Sequence, residues 1–214
     1  MIHSILAYIA GVIIFIITKT GYMGIGLLMA IDSCNIPIPS EVTMPFAGFL
    51  AQTQVLSLWG VIIAGTIGSI IGSIISYYLA SWIILSRKQN KFLYRLFSDH
   101  SVHTAERWFQ KYGNASVFFG RMVPVVRTFI SLPAGVARMK MSSFLWFTTA
   151  GSLVWSILLT YAGYILGENW HRIEIYFREA QYVVLVLMVC AGVLVLIQRK
   201  KRKNKTSPSG EVSV

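Results

Sequence analysis

Residues 32–51 read DSCNIPIPSEVTMPFAGFLA, and residues 119–135 read FGRMVPVVRTFISLPAG. Each stretch sets charges and prolines inside otherwise apolar sequence: Asp32 and Glu41 around Pro37 and Pro39 in the first, Arg121 and Arg127 around Pro124, with Pro133 beyond, in the second. Proline removes a backbone donor and cannot continue a straight helix. The apolar pieces at 21–34 and 42–52 are each shorter than the ~20 residues a spanning helix needs. Irregular backbone at membrane depth survives only where protein or a wet cavity satisfies its polar groups. Each stretch is therefore expected to enter the membrane and turn back as a re-entrant hairpin, the first over 36–52 and the second over 114–138. Pro37 and Ala47-Gly48 recur as Pro124 and Ala134-Gly135, all at an offset of 87, so the two hairpins share internal spacing. Broken apolar segments at matching places in two halves point to a transport site near the midplane.

Outward from these motifs the composition agrees. Of 214 residues, 55% are hydrophobic and 13% charged, where an ordinary soluble domain carries about 25% charged residues. Uncharged runs cover 1–18, 42–86, 141–167 and 180–198. The fold class expected is an all-α polytopic membrane protein, with two oppositely oriented re-entrant hairpins and transmembrane helices in an inverted repeat. Residues 1–198 form one membrane domain, and 199–214 form a basic tail. No room is left for an additional soluble domain of typical size. Residues 1–18 lack the basic start and small-residue cleavage site of a signal peptide and are kept as a first helix, 2–18, tilted, spanning or interfacial.

The long helix 55–85 carries Ala64, Gly68, Gly72 and Ser76 at every fourth position, a small-residue face that admits another helix closely. Segment 88–112 is amphipathic and stops at Gly113. Helices 141–167 and 181–198 then cross outward and back.

The net charge of +11 has a positional explanation that needs no nucleic acid. Arg199, Lys200, Lys201, Arg202, Lys203 and Lys205 follow the last apolar run, and Arg87, Lys88, Lys91, Arg95, Arg107 and Lys111 fill the central polar segment. Basic residues favour the cytoplasmic side, so both regions and the C-terminus are placed there. The net acidic loop 168–179 is placed outside. Cys34 and Cys190 form no disulfide or metal pattern. Asp99, His100 and His103 start an amphipathic helix and are read as capping and solvated groups, so no metal is expected. Trp146, Trp155, Trp170, Tyr161 and Tyr164 are read as interfacial anchors and packing. No G-x-x-x-x-G-K-[ST] loop exists, which argues against direct use of ATP, and no cofactor is expected.

That leaves Asp32, Glu41, Arg121 and Arg127. An ionised side chain at the bilayer centre costs about 2.5–3.5 kcal/mol on insertion scales, so four of them require either mutual ion pairs or a polar cavity between the hairpins. The guanidinium fork matches phosphate oxygens, and two arginines six residues apart can converge on one anionic headgroup. Carboxylates can exchange protons where arginine cannot. The four together suit a proton-coupled anion site.

At these same residues the chain resembles the DedA family of bacterial membrane proteins, related to the eukaryotic VTT-domain proteins. Asp32 through Ala51 looks like the family's first motif. Phe119 through Arg127, then Pro133-Ala134-Gly135, Phe144 and Trp155, looks like its second, and the similarity covers about 20–170. The resemblance implies two facing hairpins, shaped by Pro37, Pro39, Gly48, Gly120, Pro124, Pro133 and Gly135. It also implies a flippase that returns undecaprenyl phosphate from the outer to the inner leaflet for cell-wall precursor recycling. Arg121 and Arg127 would then hold the phosphate, while Glu41 and Asp32 couple to protons or another cation. The first acid, usually Glu in the family, is the shorter Asp32 here. The partners implied are an anionic lipid, protons or another cation and the bilayer, and a homo-oligomer is compatible with them. A general phospholipid scramblase or a proton-coupled small-ion exporter would share the site. A membrane-embedded lipid phosphatase would need a nucleophile or a histidine base beside the arginines, and neither hairpin contains histidine.

Overall fold

The computed structural model describes residues 2–36, 38–86, 107, 109 and 112–167. Pro37, most of the amphipathic segment 88–112, the acidic loop 168–179, the span 181–198 and the tail 199–214 lie outside the described residues. Among the described residues every regular element is helical: α1 (Ile2–Thr20), α2 (Tyr22–Ser33), α3 (Ser40–Gln52), α4 (Leu58–Ser86), α5 (Ala115–Arg121), α6 (Pro124–Phe129), α7 (Ser131–Val136) and α8 (Met141–Leu166).

Two of these, α4 with 29 residues and α8 with 26, are long and apolar enough to cross a membrane. At 1.5 Å per residue they measure about 43 and 39 Å, more than the ~30 Å hydrocarbon layer. Helix α4 turns Ile63, Ile67, Ile71 and Ile75 outward, each about half exposed, and buries Gly65, Gly68, Ser69, Gly72, Ser73 and Ser76. Apolar side chains outside and small or hydroxylated ones inside suit a helix solvated by lipid, since hydrocarbon gives no reward for hiding isoleucine and close packing needs small residues.

The expected small-residue face does pack a helix. Helix α2 runs alongside α4 in the same direction. The Ser57 N–H donates to Tyr22 Oη at 2.6 Å, Gly68 abuts the backbone of Gly26, Gly72 abuts that of Ala30, and Ser76 donates to Asn35 Oδ1 at 2.5 Å. A Cβ at Gly68 or Gly72 would run into a backbone carbonyl of α2, which cannot move aside as a side chain can. The chain leaves α2 through Asn35, at φ +71, and resumes at Ser40 as α3, which returns against α2 and α4. Helix α3 also lies along α8: Pro45 abuts Gly163, Gly48 abuts the carbonyl of Thr160, and Gln52 approaches Gly167.

The second motif is cut more finely than the single interrupted hairpin expected over 114–138. It forms three short helices. Val123 adopts extended backbone, as the residue before a proline favours, and Pro124 opens α6 at a position where its missing N–H costs nothing. Helix α7 packs along α4, where Ser81 Oγ donates to the Gly135 carbonyl at 3.0 Å and Tyr77 Oη donates to the Met139 carbonyl at 2.6 Å. Helix α5 packs on α8, with Gly151 against the Arg121 side chain and the Phe118 carbonyl.

The apolar packing is divided. One cluster gathers Ile13, Ile17, Ile25, Leu28 and Met29 with Met44, Phe46, Ala47 and Val61. Another holds Tyr77, Val117, Ala134, Met139 and Phe144. The buried charges lie where the ends of α2, α3, α5 and α7 meet.

Candidate functional site

Most pieces of the two motifs contribute from an end. Asp32 is the penultimate residue of α2, Ser40 the first of α3, Arg121 the last of α5 and Ser131 the first of α7, while Arg127 lies within α6. Helix ends are where the backbone bends, so the prolines that break these segments also deliver their polar side chains to one place.

Arg127 donates from Nη2 to Asp32 Oδ2 at 2.5 Å and also to Ser40 Oγ. Thr128 Oγ1 donates to the other carboxylate oxygen at 3.4 Å. Asn35 Nδ2 ties the two breaks together by donating to the Thr128 carbonyl at 2.9 Å. Arg121 is held differently, among the described residues by hydroxyls alone: Ser152 Oγ at 3.0 Å from Nη1, and Ser131 Oγ at 3.2 Å and Ser73 Oγ from Nη2. Asp32, Arg121 and Arg127 expose only 2%, 3% and 7% of their surface. The charges of Arg127, Glu41 and Arg121 all act on Asp32.

Depth follows from the long helices. Ser73 stands 15 residues from Leu58 and 13 from Ser86, and Ser152 stands 11 from Met141 and 14 from Leu166. Both lie within about 3 Å of mid-length along their helices. Arg121 bridges them. Hydrogen bonds from a charged group are each worth about 1.5–3 kcal/mol, but three hydroxyls leave the guanidinium charge without an ion-paired carboxylate among the described residues.

Three of the four ionisable residues singled out in the sequence, Asp32, Arg121 and Arg127, thus come together in the interior. Glu41 is half-buried next to Ser40 and makes no hydrogen bond or ion pair among the described residues. Of the shaping residues, Pro39 precedes α3 in extended backbone, Gly48 and Gly135 press on backbone of α8 and α4, and a Cβ at Gly120 would crowd Ile130. Pro124 opens α6, and Pro133 stands inside the first turn of α7. Pro37 is outside the described residues.

Of the aromatic residues read as interfacial anchors and packing, Trp155 takes a packing place: it lies near mid-length of α8, with the Arg127 guanidinium carbon 5.1 Å from its ring centroid. Its place three residues after Ser152 puts it on the same helix face, which brings its ring to the arginine rather than to the membrane surface. Trp146, 73% exposed near the start of α8, keeps a position suited to an anchor. Sequence reasoning missed Ser40, Ser73, Ser131 and Ser152. Only Ser40 carried a signal, since it stands at the same 87-residue offset from Arg127 that relates the two motifs. No group of three His, Cys, Asp or Glu side chains placed to hold a metal occurs among the described residues; Asp99, His100 and His103 lie outside them.

Comparison with known proteins bears directly on this cluster. The VTT domain family matches residues 38–165. The chain belongs to this family. It is a DedA-type membrane protein: it is 25% identical over 169 residues to Protein DedA of Escherichia coli (strain K12), covering 77% of this chain and 75% of that protein. It is 34% identical over 185 residues to undecaprenyl phosphate transporter A of Bacillus subtilis (strain 168), covering 86% of this chain and 91% of the relative. It is also 39% identical over 207 residues to a protein of Lactococcus lactis subsp. lactis (strain IL1403) named alkaline phosphatase-like, covering 92% and 97%. No solved structure matches. The matched span of this VTT-domain protein holds α3 to α7, nearly all of α8, and both arginines.

Proposed function

We propose that this VTT-domain protein is a flippase that returns undecaprenyl phosphate from the outer to the inner leaflet of a bacterial plasma membrane, coupled to the proton gradient. The observation that carries this reading is the placement of one buried arginine, Arg121, between the middles of the two long apolar helices, with a second, Arg127, against Trp155 near the middle of α8. A lipid phosphate must bring its charge through that depth while its polyprenyl tail stays in hydrocarbon. Arg121 and Arg127 hold the phosphate, and Asp32 and Glu41 exchange protons. Asp32 is the carboxylate a phosphate would displace from Arg127, and Glu41 is an acid without an ion pair among the described residues. The relative named undecaprenyl phosphate transporter A supports the choice of lipid.

The reading includes two re-entrant hairpins related as an inverted repeat. Reciprocal packing favours it: Gly48 presses on backbone at Thr160 and Tyr164, while Gly135 presses on backbone at Tyr77. The offset of 87 that takes 48 to 135 also takes 77 to 164. Residues 1–198 then form one membrane domain with the tail 199–214 in the cytoplasm, on the side favoured by its lysines and arginines.

Reconstitution in liposomes with labelled undecaprenyl phosphate, beside a phospholipid control, tests the proposal. Selective transport supports it, equal movement of both lipids indicates a scramblase, and no movement of either refutes it. The relative named alkaline phosphatase-like favours a second reading, hydrolysis of a lipid phosphate. Release of inorganic phosphate in the same liposomes would establish that enzyme. Absence of release, with transport retained, leaves the flippase.

A further inference from the structure

Among the described residues, six buried polar side-chain atoms have no hydrogen-bond partner: Arg121 Nε, Arg127 Nε, Trp155 Nε1 and the hydroxyls of Thr148, Ser156 and Thr160. A helical hydroxyl has a fallback, because it can rotate toward the carbonyl four residues before it. Thr66 and Ser73 do so, donating to Ile62 and Ser69 at 2.7 and 2.6 Å. An indole or guanidinium N–H has no such fallback and can only donate. Leaving one unmet in the interior costs roughly 1–3 kcal/mol.

The three unmet N–H donors belong to one neighbourhood. Arg127 lies over the Trp155 ring, and Arg121 is bound to Ser152, three residues earlier on the same face of α8. The carboxylate at hand is already engaged, since Asp32 accepts from Arg127 through one oxygen and from Thr128 through the other. What this neighbourhood lacks is acceptors. A phosphomonoester brings three terminal oxygens, whereas a phosphodiester of the bulk lipid kind brings two and a single charge.

Resting on the headgroup site proposed above, we propose that Trp155 is a third, neutral donor to the phosphate. Its indole N–H completes a set of three with the two arginine Nε–H groups, and this set selects lipid phosphomonoesters over phosphodiesters. The ring does a second job, since its face supports Arg127 as a cation–π partner. The two jobs separate in Trp155→Phe, which keeps a ring and removes the N–H.

The full chain, purified in detergent with 15N-labelled tryptophan indoles, supplies the test; the Trp155 resonance is the one missing from the Trp155→Phe variant. The probes are farnesyl phosphate as monoester and phosphatidylglycerol as diester. The wild-type Trp155 resonance should shift on addition of farnesyl phosphate and stay in place with phosphatidylglycerol. Trp155→Phe should bind farnesyl phosphate roughly tenfold or more weakly, as expected for losing a hydrogen bond to a charged group, with its preference over the diester reduced and its melting temperature unchanged. Wild-type affinity in Trp155→Phe, with binding lost in Arg127→Ala, would overturn the role of Trp155 and leave the arginine site standing. An indole resonance that stays fixed while farnesyl phosphate binds would overturn it too, even if the variant failed to fold. A wild-type protein that binds both lipids without preference would overturn the selectivity inferred here, whereas one that binds neither would bring down the headgroup site beneath it.

Discussion

Ser40 and Arg127 are 87 residues apart and joined by a hydrogen bond, guanidinium to hydroxyl. The same interval separates Pro37 from Pro124 and Gly48 from Gly135. The contact is also shared with Asp32, so the guanidinium of the second motif holds both the acid before the first motif's break and the hydroxyl after it.

The two partners of Arg127 should differ in weight. Asp32→Ala leaves a buried guanidinium without its counter-charge and is expected to cost about 3–5 kcal/mol of stability, whereas Ser40→Ala removes one bond and costs about 1.5–3 kcal/mol. The double variant Asp32→Ala with Arg127→Leu should melt above Asp32→Ala alone, because no unpaired charge remains. Thermal unfolding in detergent checks the order; a double variant less stable than the single one would contradict the ion-pair account.

Arg121 depends on Ser73, Ser131 and Ser152 together. Replacing any one with alanine is expected to slow lipid phosphate transport several-fold, and the three combined to abolish it, with less than additive loss of stability because one guanidinium serves all three. Transport in proteoliposomes, read beside melting temperature, separates lost positioning from lost fold.

Glycine contacts predict a sharp contrast. Gly48→Val or Gly135→Val would force a side chain into helix backbone at Thr160 or Tyr77 and should cost several kcal/mol or prevent folding. Gly11→Ala, whose added carbon would meet nothing within 4 Å, should be neutral or slightly stabilising, since alanine favours helix by up to about 1 kcal/mol. Yield of monodisperse protein and melting temperature report both.

Glu41 is the acid without a hydrogen-bond or ion-pair partner among the described residues. Glu41→Gln preserves its size and removes its charge, so transport should persist at a reduced rate while losing its response to an imposed proton gradient. A response that survives would move the coupling role to Asp32.

Much of the fold was legible because it rests on features that sequence displays directly. The helix expected over 21–34 is Tyr22–Ser33, that over 55–85 is Leu58–Ser86, and that over 141–167 is Met141–Leu166. Gly68 and Gly72 announced a close helix contact because few other roles suit small residues at that spacing, and prolines marked the breaks because they cannot hide in a helix. Asp32 and Arg127 were visible as charges that apolar surroundings must neutralise. The hydroxyls of Ser73, Ser131 and Ser152 were not, because serine is common on close-packed helix faces and nothing local distinguishes one that binds arginine. Sequence left open whether Trp155 anchors or packs for a related reason: an amphipathic ring suits a membrane interface and a cation equally, and only the helix partner decides between them.

Helix α3, from the first half of the chain, lies along α8 of the second, and α7 of the second half lies along α4 of the first. Each half keeps its partner's arm, as in a handshake. A protein cut once between residues 90 and 100 and co-expressed as two fragments should therefore reassemble, while either fragment made alone would lack the surface its own arm must grip. Synthesis order matters for the same reason: α3 emerges from the ribosome about a hundred residues before the helix it will lie on, and until then its Gly48 face has no mate.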